Sequence, residues 1–381
     1  VWLAACGLGA WLRLDQLLDQ VLADDEWHAV HVLLQAQPHQ FMLSTGANDH
    51  SIPLTALAWL WMQMAPLTEW ALRAPMVLSG LALLVVLPFV MAGDSERRTR
   101  WVFTLLLAIS PLLVGYSRMA RPYALTLLTV TVAFGCLTRA TSCGRLWGRW
   151  GLAYAALAAL AAWLHGVMLP FVVAPLLALA WQHRRTGALP KPLLALAGLT
   201  LGLLALAVLP PMVHDPAALG AKAGRDLPDW NTLTGVWYMW IGTGSSAVLL
   251  PVLALAATGA GPAWRSGPVF RWTLLGLALV QAAVLVVRPV WISNPLTQAR
   301  YLLPAVPCLL LAAAFGLVRL VDLAPTRLRR GGFAVTVGLL SASLLWTGPA
   351  PQTWRHPNAH SSSYYFQFDY RPPHNPVVAS Y

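Results

Sequence analysis

Residues 21–31, VLADDEWHAVH, set three consecutive acids, Asp24, Asp25 and Glu26, and two histidines into a chain in which only 10% of residues are charged. Two further stretches gather arginine beside tyrosine. YSRMARPY (116–123) carries Arg118, Arg121 and Tyr123, and TQARYLLP (297–304) carries Arg300 and Tyr301. A carboxylate can take the proton of an acceptor hydroxyl, while guanidinium and phenol groups stabilise a departing phosphate. The set therefore suits group transfer from a phosphate leaving group.

The elements that must position these residues are membrane spans. The chain is 58% hydrophobic, and its apolar runs are long, bounded by arginines and repeated from end to end. Runs without Asp, Glu, Lys or Arg at 74–92, 101–117, 122–138, 192–213, 301–318 and 331–354 have about the length a bilayer crossing needs. The polar connections between them are too short to bury an independent soluble core. The composition predicts an all-α polytopic membrane protein with about eleven spans, near 1–14, 72–92, 101–116, 122–138, 150–165, 167–182, 193–213, 234–258, 271–288, 302–319 and 332–348.

Basic residues orient these spans, because Lys and Arg favour the cytoplasmic side of short loops. One set of alternate loops holds Arg97, Arg98, Arg100, Arg139, Arg145, Arg149, Arg184, Arg185, Lys191, Arg265, Arg271, Arg319, Arg327, Arg329 and Arg330. The other set is poor in them and carries the acids, Arg118, Arg121 and Arg300. The net charge of +11 is thus explained by topology, and no nucleic-acid partner is expected. The segment 51–66, SIPLTALAWLWMQMAP, has too short an apolar core to cross and is expected to lie in the interface. This makes 15–71 a first extracytoplasmic loop with juxtamembrane helices, inside a transmembrane domain of 1–348, with an extracytoplasmic tail at 349–381. The candidate chemistry falls on the outer side, where nucleotide sugars are not at hand, so a donor would have to be carried in the membrane.

Plainer readings stand beside these. Asp24 or Asp25 can cap a juxtamembrane helix whose Trp27, Val30, His31 and Leu34 follow helical spacing. His28 and His31 share a face with Asp24, which a zinc site or an interfacial histidine cluster would explain; the latter is preferred, and no metal site is expected. Arg73 has Glu69 one turn earlier and is expected to pair with it locally. Arg118 and Arg121 can be interfacial anchors, and most tryptophans an aromatic belt, with Trp27, Trp237 or Trp240 free to stack on a sugar. The glycines of WYMWIGTGSS (237–246) suggest a broken turn near the outer surface. Cys6, Cys136, Cys143 and Cys308 lack metal or redox spacing and read as packing residues.

In order along nearly the whole chain, these motifs resemble the GT-C glycosyltransferases that use polyprenyl-phosphate sugars, among them bacterial relatives of protein O-mannosyltransferases and lipid A aminoarabinose transferases. The resemblance rests on DDEW after the first span, HSIPL (50–54), EWALRAP (69–75), SPLLVGYSRMARPYAL (110–125), AAWLHG (161–166) and ARYLLPAVP (299–307). It departs at Met119, where many relatives have Glu. The resemblance implies a GT-C-like fold and an inverting transfer from a polyprenyl-phosphate-linked sugar to an extracytoplasmic hydroxyl. Asp25 would be the base, with Glu26 supporting it or binding acceptor. Arg118, Arg121, Tyr123, Arg300 and Tyr301 would hold the lipid phosphate, and His50, His165 and Trp27 would touch acceptor or sugar. No cofactor is required on this reading, and the sequence does not support a divalent metal. The implied location is the bacterial inner membrane, with the site facing the periplasm and membrane lipids around it. A lipid-linked sugar flippase or transporter is the rival reading, disfavoured by the absence of mid-span ionisable residues and internal repeats.

Overall fold

A computed structural model describes residues 2–18, 20, 22, 26–44, 50–93, 95–187, 189–224, 226–323 and 325–347. Every regular element among them is a helix. After α1 (Trp2–Leu14) come three short helices, α2 (Trp27–Gln35), α3 (Pro38–Met42) and α4 (Ile52–Met62). The bundle continues with α5 (Glu69–Met91), α6 (Arg97–Ile109), α7 (Pro111–Arg118), α8 (Tyr123–Ser142), α9 (Arg149–Leu164), α10 (Leu169–Thr186) and α11 (Lys191–His214). It closes with α12 (Pro216–Gly220), α13 (Trp230–Ile241), α14 (Ser246–Ser266), α15 (Pro268–Val287), α16 (Pro295–Tyr301), α17 (Ala305–Asp322) and α18 (Thr326–Thr347).

Seven helices, α5, α8, α10, α11, α14, α15 and α17, are long and apolar enough to cross a bilayer, and α6 with α7 makes an eighth as one bent span. The shorter apolar helices α1, α9 and the 331–347 part of α18 occupy the remaining positions of the expected set. One expected boundary is corrected. The run proposed to cross at 234–258 is two helices, α13 and α14, separated at Gly242, which caps α13 in the left-handed conformation at φ 78°. A side chain there would be strained, and its Cβ would stand 2.2 Å from the Pro111 ring. The crossing therefore begins only at Ser246, and the break falls inside the 237–246 stretch where the glycines pointed.

Helix breaks in a membrane need internal partners for the backbone groups they release. The α6–α7 pair bends by 55° because Pro111 has no N–H to donate and disrupts the preceding turn. Arg13, only 1% exposed, fills that need. Its Nη2 donates to the Leu107 carbonyl (3.4 Å) and its Nη1 to the Ala108 carbonyl (3.3 Å) and to Gly9 of its own helix (2.8 Å). Its Nε donates to Ser117 Oγ on α7 (3.2 Å). One guanidinium thus splints both halves of the bend to α1.

Packing elsewhere relies on close backbone approach. Small residues allow it where van der Waals contact, rather than exclusion of water, must hold helices together. Between α14 and α17, a Cβ at Gly259 would lie 1.9 Å from the Ala312 carbonyl oxygen, and one at Gly316 would lie 1.9 Å from that of Leu255. No larger residue fits either place.

The two ends of the bundle differ in charge. At one end, Arg98 at the start of α6 pairs with Asp322 at the end of α17 (3.2 Å), and Ser266 Oγ at the end of α14 donates to Met91 O at the end of α5 (3.1 Å). Arg184 at the end of α10 and Arg271 at the start of α15 line one cavity there. At the other end lie α2, α3, α4 and the residues singled out for chemistry. There Thr243 and Thr347 join the α13–α14 break to the end of α18 through their hydroxyls (2.7 Å). The arginine-rich loops and the candidate site therefore occupy opposite ends of the spans.

Candidate active site

The site is built on a buried ion pair that the sequence did not reveal. Glu26, the residue before α2, is 0% exposed and Arg73, in the first turns of α5, 1%. They meet in a two-pronged contact, Nε to Oε1 and Nη2 to Oε2, each 2.9 Å. The expected local pair with Glu69 is corrected: Arg73 instead turns inward, and its Nη1 also donates to the carbonyls of Gln20 (2.7 Å) and Leu17 (3.3 Å). Glu26 Oε1 additionally accepts from the Ala120 N–H at 2.6 Å. One carboxylate thereby fixes the loop after α1, the start of α5 and the turn between α7 and α8. Both Glu26 oxygens are thus engaged by the protein's own donors.

The turn held through Ala120 presents the next residue, Arg121, to a cavity of about 430 Å³. Its guanidinium donates through Nη1 to His28 Nδ1 on α2 (3.3 Å), so that His28 accepts there. The cavity is lined by Arg121, His50, Ser51 and His165 together with apolar residues, including Ala207, Val208, Pro211 and Met212 of α11 and Val287 of α15. His50 is buried and donates from Nε2 to the Phe41 carbonyl (3.3 Å). Ser51 Oγ donates to Leu164 O at the end of α9 (2.9 Å), tying the start of α4 to that helix. A guanidinium beside an apolar lining has the chemistry needed to hold an anion attached to a hydrocarbon chain.

Beside the cavity runs a row of rings. Tyr116 and Tyr123 stand 4.5 Å apart between centroids, Tyr123 and His165 5.3 Å, and His165 and Tyr301 5.6 Å. The Arg300 guanidinium lies 5.8 Å from the rings of both Tyr123 and Tyr301, within cation–π range. His165 Nδ1 accepts from the Val167 N–H (3.3 Å), which caps the turn entering α10. In the neutral imidazole that places the proton on Nε2. Residues from three separate sequence stretches, Arg121 and Tyr123, His165, and Arg300 with Tyr301, are thus assembled at one place.

Other expected members stand apart. Arg118 does not face the cavity. It closes the end of α1, donating to the carbonyls of Leu12 (3.0 Å) and Asp15 (2.7 Å) and to Gln20 Oε1 (3.1 Å). Trp27 is 41% exposed and stacks on His31 (5.9 Å), so α2 turns those two outward and His28 inward. That separates the two histidines expected on one face. Trp237 and Trp240 pack edge to face (5.2 Å), and Trp240 Nε1 donates to Ala299 O (3.4 Å). Asp24, Asp25 and the tail from 348 lie outside the described residues. Among the described residues, no three His, Cys, Asp or Glu side chains converge as a metal site would need, and all four cysteines are free.

Sequence reasoning missed Arg13, Gln20, His28 as the partner of Arg121, and a tie between Ser44 and Asp215. Arg13 gave little signal, because a cation in the last turn of a helix is ordinary. Ser44 Oγ donates to Asp215 Oδ2 (2.5 Å) and the Ala218 N–H to Oδ1 (3.1 Å). These bonds, the Ser44 hydroxyl first, hold the Asp215 carboxyl below the usual carboxylate range. They fasten the end of α11, one cavity wall, to the loop before His50.

No protein-family model matches the sequence, and no curated protein matches it. The fold does match a solved one, the crystal structure of ArnT from Cupriavidus metallidurans in the apo state, with a TM-score of 0.58 at 12% identity. The match covers 95% of this chain and 65% of that protein, so the chain spans somewhat under two thirds of its length. The chain is a multi-pass helical membrane protein of GT-C-like fold.

Proposed function

We propose that the protein is a membrane glycosyltransferase that takes a sugar from a polyprenyl-phosphate donor and transfers it, with inversion, to an acceptor hydroxyl outside the cytoplasm. The observation that carries this reading is the cavity that Arg121, backed by His28, lines together with apolar residues of α11. A prenyl chain would lie along those residues, its phosphate facing the guanidinium. The aromatic row with Arg300 stands where the sugar headgroup would lie. Asp25, next in sequence to the anchored Glu26, is the proposed base. It would take the proton of the acceptor hydroxyl as that oxygen bonds to the anomeric carbon, and the carbon–oxygen bond to the phosphate would break. The electron pair leaves on the prenyl phosphate, where Arg121 compensates the added charge. The fold shared with ArnT is compatible with this assignment. The location proposed is the bacterial inner membrane, with the site end toward the periplasm.

Reconstitution of the full chain in vesicles with a polyprenyl-phosphate sugar and a panel of acceptors tests the reading. Prenyl phosphate should be released, and release should be lost in Asp25→Asn and Arg121→Gln while both variants remain folded. Passage of the intact donor across the bilayer without cleavage would make the protein a flippase instead.

A further inference from the structure

A second cavity lies at the arginine-rich end of α10, a helix of 18 residues or about 27 Å at 1.5 Å per residue, whose other end follows His165. It is open, about 1300 Å³ in volume, and is formed where the end of α10 meets the end of α14 and the start of α15. That is larger than the roughly 300–1,000 Å³ of ordinary small-ligand sites. From this cavity we infer a binding site for one acidic glycerophospholipid, in the leaflet opposite the candidate active site.

Its lining is graded in a way that fits such a molecule. The mouth carries Arg184 and Arg271, and Arg185 stands just beside it with its guanidinium 5.1 Å from the Trp181 ring. Trp181 and Trp264 line the same level and are 59% and 51% exposed, as indoles at a headgroup boundary are. Deeper, the wall turns aliphatic. Leu177 lies two turns of α10 from Arg184, about 10 Å toward the bilayer centre, and Leu275 lies one turn of α15 from Arg271. An anionic headgroup at the guanidiniums would direct its acyl chains along these leucines. Among the described residues no carboxylate lines the cavity, so its charge is complementary to a phosphodiester with no cationic headgroup. A zwitterionic lipid would bring its own cation to the arginines. Filling the cavity would also join α10 to α14 and α15 by a ligand that binds only the folded bundle, which raises stability by mass action.

The test uses the purified full chain in phosphatidylcholine nanodiscs, with thermal unfolding followed as phosphatidylglycerol replaces part of the phosphatidylcholine. The wild type should melt higher with phosphatidylglycerol, and Arg184→Gln/Arg271→Gln should weaken the dependence on its concentration by on the order of tenfold. Arg145→Gln, which removes an exposed charge from the same end outside the cavity, should leave the dependence unchanged. An equal loss in Arg145→Gln, or no loss in the double variant, would reduce the effect to diffuse surface attraction and overturn the site. Should the double variant fail to fold, a photoactivatable phosphatidylglycerol on the wild type decides the matter. Labelling within 177–184 and 264–275 is expected, and labelling confined elsewhere refutes it.

Discussion

Arg73 and Glu26 face each other across two 2.9 Å contacts with almost no exposure to solvent, and the same carboxylate accepts from Ala120, one residue before Arg121. A buried pair of this kind contributes little net stability beside a well-packed apolar substitute, but losing one member leaves the other as an uncompensated charge. Glu26→Gln and Arg73→Met should each destabilise the protein by about 3–5 kcal/mol. The double variant should recover much of that loss, because no charge is stranded. Thermal unfolding in detergent of the four proteins of this cycle measures the coupling, and strictly additive losses would show that the pair does not act as a unit.

Arg118 and Arg121 stand three residues apart and do different work. Arg118 satisfies the carbonyls of Leu12 and Asp15, so Arg118→Met should lower stability by roughly 1–3 kcal/mol for each carbonyl stranded in the bundle. Arg121 faces the cavity, and Arg121→Met should leave the melting temperature nearly unchanged while weakening binding of polyprenyl phosphate at least tenfold, in line with loss of a charge-assisted contact worth about 1.5–3 kcal/mol. Melting curves and a lipid-binding titration of both variants separate the two roles.

Much of the architecture was legible because apolar length and arginine placement carry it directly. Spans at α5, α8 and α11 stood out as uncharged runs, and the Gly242 break was visible in its glycines. Pairings across the fold were hidden. Arg73 had an acid one turn away in sequence, and spacing alone could not show that burial would give it Glu26 instead. Arg118 and Arg121 share a motif, yet the 119–121 turn sends one guanidinium to the end of α1 and the other to the cavity. The grouping of Tyr123, His165 and Tyr301 depends on α8 beginning where α9 and α16 end, which no local pattern encodes. The helical face of Trp27 and His31 was readable from spacing, but not that His28 would turn inward to Arg121.

Arg13 supplies donors to the Leu107 and Ala108 carbonyls at the Pro111 break. Arg13→Leu should strand those carbonyls and cost several kcal/mol in total, at roughly 1–3 kcal/mol each. Combining it with Pro111→Ala, which restores a backbone donor, should return part of the loss. Hydrogen exchange across 105–118 would report the change locally, with faster exchange in the single variant than in the double.

The Asp215 carboxyl is held below the usual range by Ser44 and Ala218. Its lowered folded value means that it stabilises the protein above the unfolded carboxylate pKa of about 3.9, and that this contribution disappears as the pH falls through the folded value. Asp215→Asn should therefore melt below the wild type at pH 7, with the gap closing as the pH drops below about 4. A gap that stays constant over the acidic range would mean that the carboxylate charge plays no part.

The central claim is that the cavity lined by Arg121 receives a lipid-borne phosphate. The most direct measurement is an experimental structure of the full chain in a bilayer disc with polyprenyl phosphate added. The account predicts density for the phosphate about 3 Å from the Arg121 guanidinium, with the hydrocarbon chain running past Ala207, Val208 and Met212. A phosphate seated at Arg118 or among the arginines of the opposite end, with the Arg121 cavity empty at saturating lipid, would contradict it.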